Sequence, residues 1–168
     1  MKGKPQLKQV ILIMGICGSG KTTVGQALSK SLGIPFLDAD DFHPRANVMK
    51  MSRGEALTDD DRWPWLAAIV EHILNNHRNE FVLGCSALKD SYREYLSQRL
   101  EVHPVLLEIT FEEAKARMDQ REGHFMPSSL IQSQLDTLEI PDNAFKLKAS
   151  TKLEAQVDLL HQNFRKLL

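Results

Sequence analysis

The 168-residue sequence has only two cysteines, Cys17 and Cys85, and they lie far apart. Such a pair makes neither a disulfide framework nor the paired spacing of a zinc site, so a reducing compartment is the expectation. Charge of one sign is not in excess either, since 21 Lys and Arg face 22 Asp and Glu and leave a net charge of −1. No overall field favours a nucleic-acid backbone or an anionic membrane, and an anionic ligand must be held by local cations. Long apolar runs are missing: none approaches the about 18 residues of a membrane span, and the opening MKGKPQLKQ is polar. Neither export nor anchoring is signalled. Repeats, low-complexity tracts and Ser/Gly linkers are also absent, and the six histidines show no metal-ligand spacing. The expectation is a cytoplasmic protein with one domain over 1–168, because about 100–200 residues suit a single core.

What is there alternates. Short β-rich apolar runs are separated by stretches with helical period, the pattern of an α/β fold with a parallel sheet. Residues 10–14 form an unbroken apolar run, as a central strand buried on both faces requires. Further strands are predicted at 34–38, 81–85, 105–109 and 145–148, giving five strands with helices on both faces. A helix is predicted from Lys21, stopped by Gly33 and Pro35. Another begins near Asp59, Asp60 and Asp61, whose charges suit the positive end of a helix. Thr110 with Glu113, and Thr151 with Glu154, have capping-box spacing and are expected to open two more. The last helix carries Leu153, Val157, Leu160, Phe164 and Leu167 on one face, which is expected to dock onto the core.

Gly15-Ile16-Cys17-Gly18-Ser19-Gly20-Lys21-Thr22 satisfies G-x-x-x-x-G-K-[ST] between a predicted strand and a predicted helix. Glycines at Gly15, Gly18 and Gly20 let main-chain N–H groups approach phosphate oxygens, and the helix start, through Thr23, adds its unpaired donors and dipole. Lys21 supplies a point charge for the β- and γ-phosphates of ATP, and the Thr22 hydroxyl suits Mg²⁺. Cys17 is read as a small loop filler, with an activated thiol beside Lys21 as the alternative. The motif names a nucleotide triphosphate and not a reaction; the neighbouring strand ends, where open α/β sheets bind ligands, must supply that.

The second strand runs into Asp38-Ala39-Asp40-Asp41-Phe42-His43-Pro44. Asp40 is the candidate to accept the proton of an attacking hydroxyl, and Asp38, two residues earlier on the same face, is the candidate to hold Mg²⁺ through water. The third strand ends Gly84-Cys85-Ser86 without an acidic residue, which leaves the metal to Asp38. Arg117 and Arg121 share one face of the helix opened by Thr110 and lead into Glu122-Gly123-His124-Phe125. That placement resembles the lid of small kinases, which implies a lid over about 117–130, with Arg121 on the transferring phosphoryl group, Arg117 on the nucleotide and Gly123 permitting the bend.

Several separated stretches resemble the gluconokinase family of the thermoresistant type. They are 36–44, then Asn47, Lys50, Met51, Gly54 and Leu57, residues 59–62 and 64–66, residues 85–89 with Tyr92 and Arg93, and Arg121, 123–127, Gln134, 137–139 and Pro141. Ala39, Ala56 and Cys17 depart from the family pattern without removing a charged candidate. The resemblance implies a P-loop fold related to shikimate and nucleoside monophosphate kinases, a homodimer, and ATP-dependent phosphorylation of D-gluconate at its terminal hydroxyl. Arg62, Lys89 and Arg93 are then the cations for the substrate carboxylate, with Asp40, His43, Ser86 and His124 as further substrate contacts. The residues by themselves leave open a kinase with another small acceptor, such as shikimate or a nucleoside monophosphate, and a nucleotide-binding module without transfer chemistry.

Overall fold

The computed structural model describes residues 6–121 and 127–168. Five parallel strands form one sheet in the order β2-β3-β1-β4-β5, with β1 Gln9–Met14, β2 Phe36–Asp38, β3 Glu80–Gly84, β4 Glu101–Glu108 and β5 Phe145–Lys148. The helices are α1 Lys21–Leu32, α2 Arg45–Ser52, α3 Asp59–Asn75, α4 Asp90–Ser97, α5 Phe111–Asp119, α6 Ser128–Thr137 and α7 Leu153–Phe164. None of the described helices is long and apolar enough to cross a membrane.

The unbroken apolar run of β1 has its cause in the layers on either side. Successive side chains of a strand point to opposite faces, so Val10, Leu12 and Met14 join Leu66, Ile69, Ile73, Tyr92 and Leu96 of α3 and α4, while Ile11 and Ile13 join Val24, Leu28, Leu160 and Phe164 of α1 and α7. The predicted docking face of α7 is thus buried at Leu160 and Phe164, with Leu153 left at its rim. A smaller cluster of Ile16, Cys17, Leu88, Ala114, Met118 and Ile131 lies between the loop after β1 and helices α5 and α6.

All five predicted strands form, with shifted edges. β4 starts four residues before the predicted 105, because Glu101 to Pro104 pair with β1 alone, ahead of the first β4–β5 pair at Val105 and Phe145. The Glu101 amide donates to the Lys8 carbonyl on the β1 side, so by alternation the missing N–H of Pro104 falls on the side that β5 has not yet reached. The Thr110 box forms as expected, Thr110 Oγ accepting from the Glu113 amide and the Glu113 carboxylate from the Thr110 amide. The Thr151 box does not. The Thr151 amide is tied in a turn to the Lys148 carbonyl, and α7 starts after Lys152 without a side-chain cap. Instead Thr58 and Asp61 form a box at the start of α3.

Candidate active site

β1 ends at Met14 and the chain turns through 15–20 into α1. Gly15 (φ 146°) and Gly18 (φ 79°) hold backbone conformations that side chains rarely adopt. Space is tight as well, since a Cβ on Gly15 would stand 3.0 Å from the Leu107 carbonyl oxygen and one on Gly18 3.1 Å from that of Ala114. Ser19 is buried, and its Oγ is the one buried side-chain polar atom without a hydrogen-bond partner among the described residues. An orphan of this kind costs about 1–3 kcal/mol and fits a loop that a ligand completes. Lys21 Nζ reaches across the loop to donate to the Ile16 carbonyl at 3.0 Å. Burial pushes its ammonium below the usual pKa, and Asp40 is the strongest charge opposing that.

Two side chains brace the loop. Arg117 donates to the Gly18 and Ser19 carbonyls, both at 3.3 Å, and to the Ala149 carbonyl at 2.7 Å. It lies outside the cleft lining, on the carbonyl side of the loop. From α6, Gln134 Oε1 accepts from the Cys17 amide at 2.7 Å. The Cys17 thiol is pushed up by burial, which outweighs Lys21 beside it, and it packs with Ile16, Leu88 and Ala114. Burial likewise pushes Cys85 up to about 12.

The sheet sets the acceptor side against this loop. Asp38 and Ile13 both register with Gly84, so the ends of β2, β3 and β1 lie level. Thr22 Oγ1 donates to Asp38 Oδ2 at 3.0 Å, and Asp38 Oδ1 accepts from the Asp40 amide at 3.0 Å, capping a 3₁₀ turn, Ala39–Phe42. That turn holds Asp40 at the surface of the cleft, with His43 Nε2 3.7 Å from its Oδ1. The His43 ring stacks on Trp65, centroids 4.3 Å apart, and Trp65 Nε1 donates to the Ala39 carbonyl. Burial, and then the neighbouring Arg62, lower the His43 pKa to about 4.

Opposite stand the cations. Arg62 donates to the Tyr92 hydroxyl at 2.8 Å, Lys89 Nζ donates to Asp59 Oδ1 at 2.9 Å, and the Tyr92 hydroxyl donates to the same Asp59 oxygen. Gly15 and Ser19 lie behind the cleft lining, while Cys17, Gly18 and Gly20 of the phosphate loop, with Lys21, Thr22, Asp38, Asp40, His43, Arg62, Ser86, Lys89 and Arg121, line one cleft of about 780 Å³. Arg93 does not, which corrects its expected role as a substrate cation. It is 7% exposed, and its guanidinium is used up by the Ala87 carbonyl, the Glu139 carbonyl and Asp90. Thr23 is exposed on α1 outside the lining, while His124 and Gly123, with the middle of the expected lid, lie outside the described residues.

A family model described as shikimate kinase matches residues 17–141. The chain is 48% identical over 136 residues to a gluconokinase of Gluconobacter oxydans, covering 78% of this chain and 75% of that protein. The chain belongs to the gluconokinase family. Its gluconokinase-family fold is matched by a solved gluconokinase from Sinorhizobium meliloti, 40% identical with a TM-score of 0.80, covering 96% of this chain and 98% of that one. A solved sugar kinase from Janibacter is 38% identical with a TM-score of 0.85, covering 92% and 93%.

Two polar residues of this gluconokinase-family cleft carry no role in the reading of the sequence. Asp59 is read there as a helix-end charge and as part of the resemblance, and Gln134 only as part of the resemblance. Each works through a partner remote in sequence, so no local spacing marks it; the Thr58-x-x-Asp61 pattern was the available sign that α3 starts at Asp59, with its first turn in the cleft. The donor set also fits Mg²⁺. Thr22 Oγ1 and Asp38 Oδ2 are hard oxygens held side by side by the 3.0 Å hydrogen bond between them, so the hydroxyl would serve as a ligand and Asp38 would hold the ion through water.

Proposed function

We propose that this chain, as a single kinase domain, phosphorylates D-gluconate with Mg·ATP to give 6-phosphogluconate and ADP. The observation that carries the proposal is the shared cleft, in which a phosphate loop with Lys21 faces Asp40, His43, Arg62 and Lys89 across the Thr22–Asp38 pair. Main-chain amides of Gly18, Gly20 and the start of α1, with the Lys21 ammonium and Thr22, bind the phosphates, while Gln134 at the Cys17 amide and Arg117 at the loop carbonyls keep the loop in shape. Thr22, and Asp38 through water, would hold Mg²⁺, which when bound neutralises phosphate charge.

Asp40 is the general base. The terminal hydroxyl oxygen of gluconate bonds to the γ-phosphorus as the bond from that phosphorus to the β-bridging oxygen breaks, the hydroxyl proton passes to Asp40, and ADP leaves with the bonding pair. Lys21 and Arg121 balance charge on the phosphoryl group in transit. Arg62 and Lys89 pair with the substrate carboxylate, and His43, Ser86 and His124 meet its hydroxyls. A cytoplasmic homodimer is the arrangement that the family resemblance supports, to be checked by light scattering on the purified chain.

The test is a coupled assay with Mg·ATP against gluconate, other sugar acids, shikimate and AMP. Turnover with gluconate above the rest is expected, and preference for shikimate or AMP, or no turnover despite nucleotide binding, overturns the proposal. Asp40→Asn is expected to lower kcat about 10²–10⁴-fold, and unchanged kcat removes Asp40 as the base.

A further inference from the structure

The acceptor side of the cleft rests on a buried amide to which the transfer chemistry gives no part. Asn47, in α2, is 3% exposed. Its Nδ2 donates to the Asp61 carbonyl oxygen at 2.8 Å and lies 3.3 Å from His43 Nδ1. The first contact fixes which way the amide points, because a main-chain carbonyl only accepts, and the Asn47 atom facing it has to be nitrogen. The NH₂ group has a second proton, and that one is directed at His43 Nδ1. A donor already occupies that side of the ring, so Nδ1 is the bare nitrogen and the imidazole proton sits on Nε2. Nε2 is the atom 3.7 Å from Asp40 Oδ1.

The opposite tautomer would meet a like group at both ends. A proton on Nδ1 would face the Asn47 proton, and a lone pair on Nε2 would face the Asp40 carboxylate. Turning the ring over by 180° would keep its plane on Trp65 but put ring carbons where Nδ1 and Nε2 stand, so the Asn47 and Asp40 contacts would both be lost. Charging the ring would need a proton on Nδ1 against the same Asn47 donor, in agreement with the depressed basicity of His43.

We infer that Asn47 is a positioning residue that sets His43 as a neutral Nε2–H donor aimed at Asp40, so that the two bracket one hydroxyl of the substrate. A separation of 3.7 Å is too long for a direct hydrogen bond, yet an oxygen bonded to both atoms fits across it. Such a hydroxyl accepts from His43 and donates to Asp40, which presents its proton to the carboxylate. The inference rests on the proposed roles of Asp40 and His43 and adds the residue that sets their polarity.

The decisive measurement is ¹⁵N-resolved NMR of the His43 imidazole in the unliganded full-length protein at neutral pH. A ring protonated at Nε2 is expected, and Nδ1 protonation or an averaged pair of tautomers overturns the inference. Asn47→Asp, close in shape but without the donor, is expected to move the proton toward Nδ1. It should lower kcat/KM for gluconate about 10-fold or more while KM for Mg·ATP stays within about twofold, a loss the size of one or two hydrogen bonds. In a His43→Ala background, Asn47→Leu is expected to cost less than about twofold, because the two residues act as one unit. An equal loss with and without His43 would make Asn47 merely structural. The NMR arm needs no substrate, so a protein inactive on gluconate sinks the proposed function while the tautomer is still decided.

Discussion

Lys21 and His43 both lose basicity to burial, with different results. For Lys21 the nearby carboxylates, Asp40 foremost, oppose the effect of burial and favour the charged form that a triphosphate needs. His43 gives its charge up. A free imidazole takes its proton near pH 6.5 and His43 in the fold near pH 4, so between those values the unfolded chain binds a proton that the folded chain refuses. Stability must therefore fall as pH falls through that window, by about 2 kcal/mol at pH 5 from this group. Urea unfolding at pH 7.5 and pH 5 should show His43→Gln losing that much less than the parent chain, and equal losses would count against a neutral buried His43. At Asp38 the expectation concerns the metal. Asp38→Asn should raise the Mg²⁺ concentration for half-maximal rate about 10–100-fold, read from Mg²⁺ titrations at saturating ATP, the size usual for weakened metal ligation.

Among the elements, the segment after β3 shows what was legible and what was not. The phosphate loop could be read directly because its chemistry is contiguous: strand, glycines, Lys21 and Thr22 follow one another. β1 was equally plain, since burial on both faces leaves only apolar residues in 10–14. Arg93 was misread because two of its three partners are main-chain carbonyls, Ala87 and Glu139, and carbonyls leave no mark in a sequence. Ala87 has φ 43°, an uncommon value for a residue with a side chain, and Arg93 holds its carbonyl in place. Arg93→Ala should therefore act as a structural change. We expect a loss of about 3 kcal/mol, or a Tm lower by about 6–12 °C in a thermal scan. The Thr151 box failed for a related reason: Thr-x-x-Glu spacing carries no information about whether the threonine amide is already committed to a turn.

Over the whole molecule, the two halves of the cleft hang on different parts of the sheet. The nucleotide half is built on β1 and α1, and the acceptor half on the ends of β2 and β3 with α3. Ligands of either half should stabilise the fold independently, each by about 2.7 kcal/mol at a concentration 100 times its Kd. For a chain of this length that is about 5–11 °C in Tm. Differential scanning with ADP and with gluconate should show both shifts in the parent chain, and Lys21→Ala should lose the ADP shift alone. Loss of both would mean that the halves do not form separately.

The strand order also bears on how the chain leaves the ribosome. β1 and its loop are synthesised first, but their neighbours in the sheet, β3 and β4, are residues 80–84 and 101–108. Until those emerge no strand pairs with β1, and of its two faces only the one that packs on α1 has a partner already made. The strand that carries the nucleotide cradle thus completes its pairing only when residues 101–108 have been made, by which point the acceptor residues up to Lys89 are already in the chain.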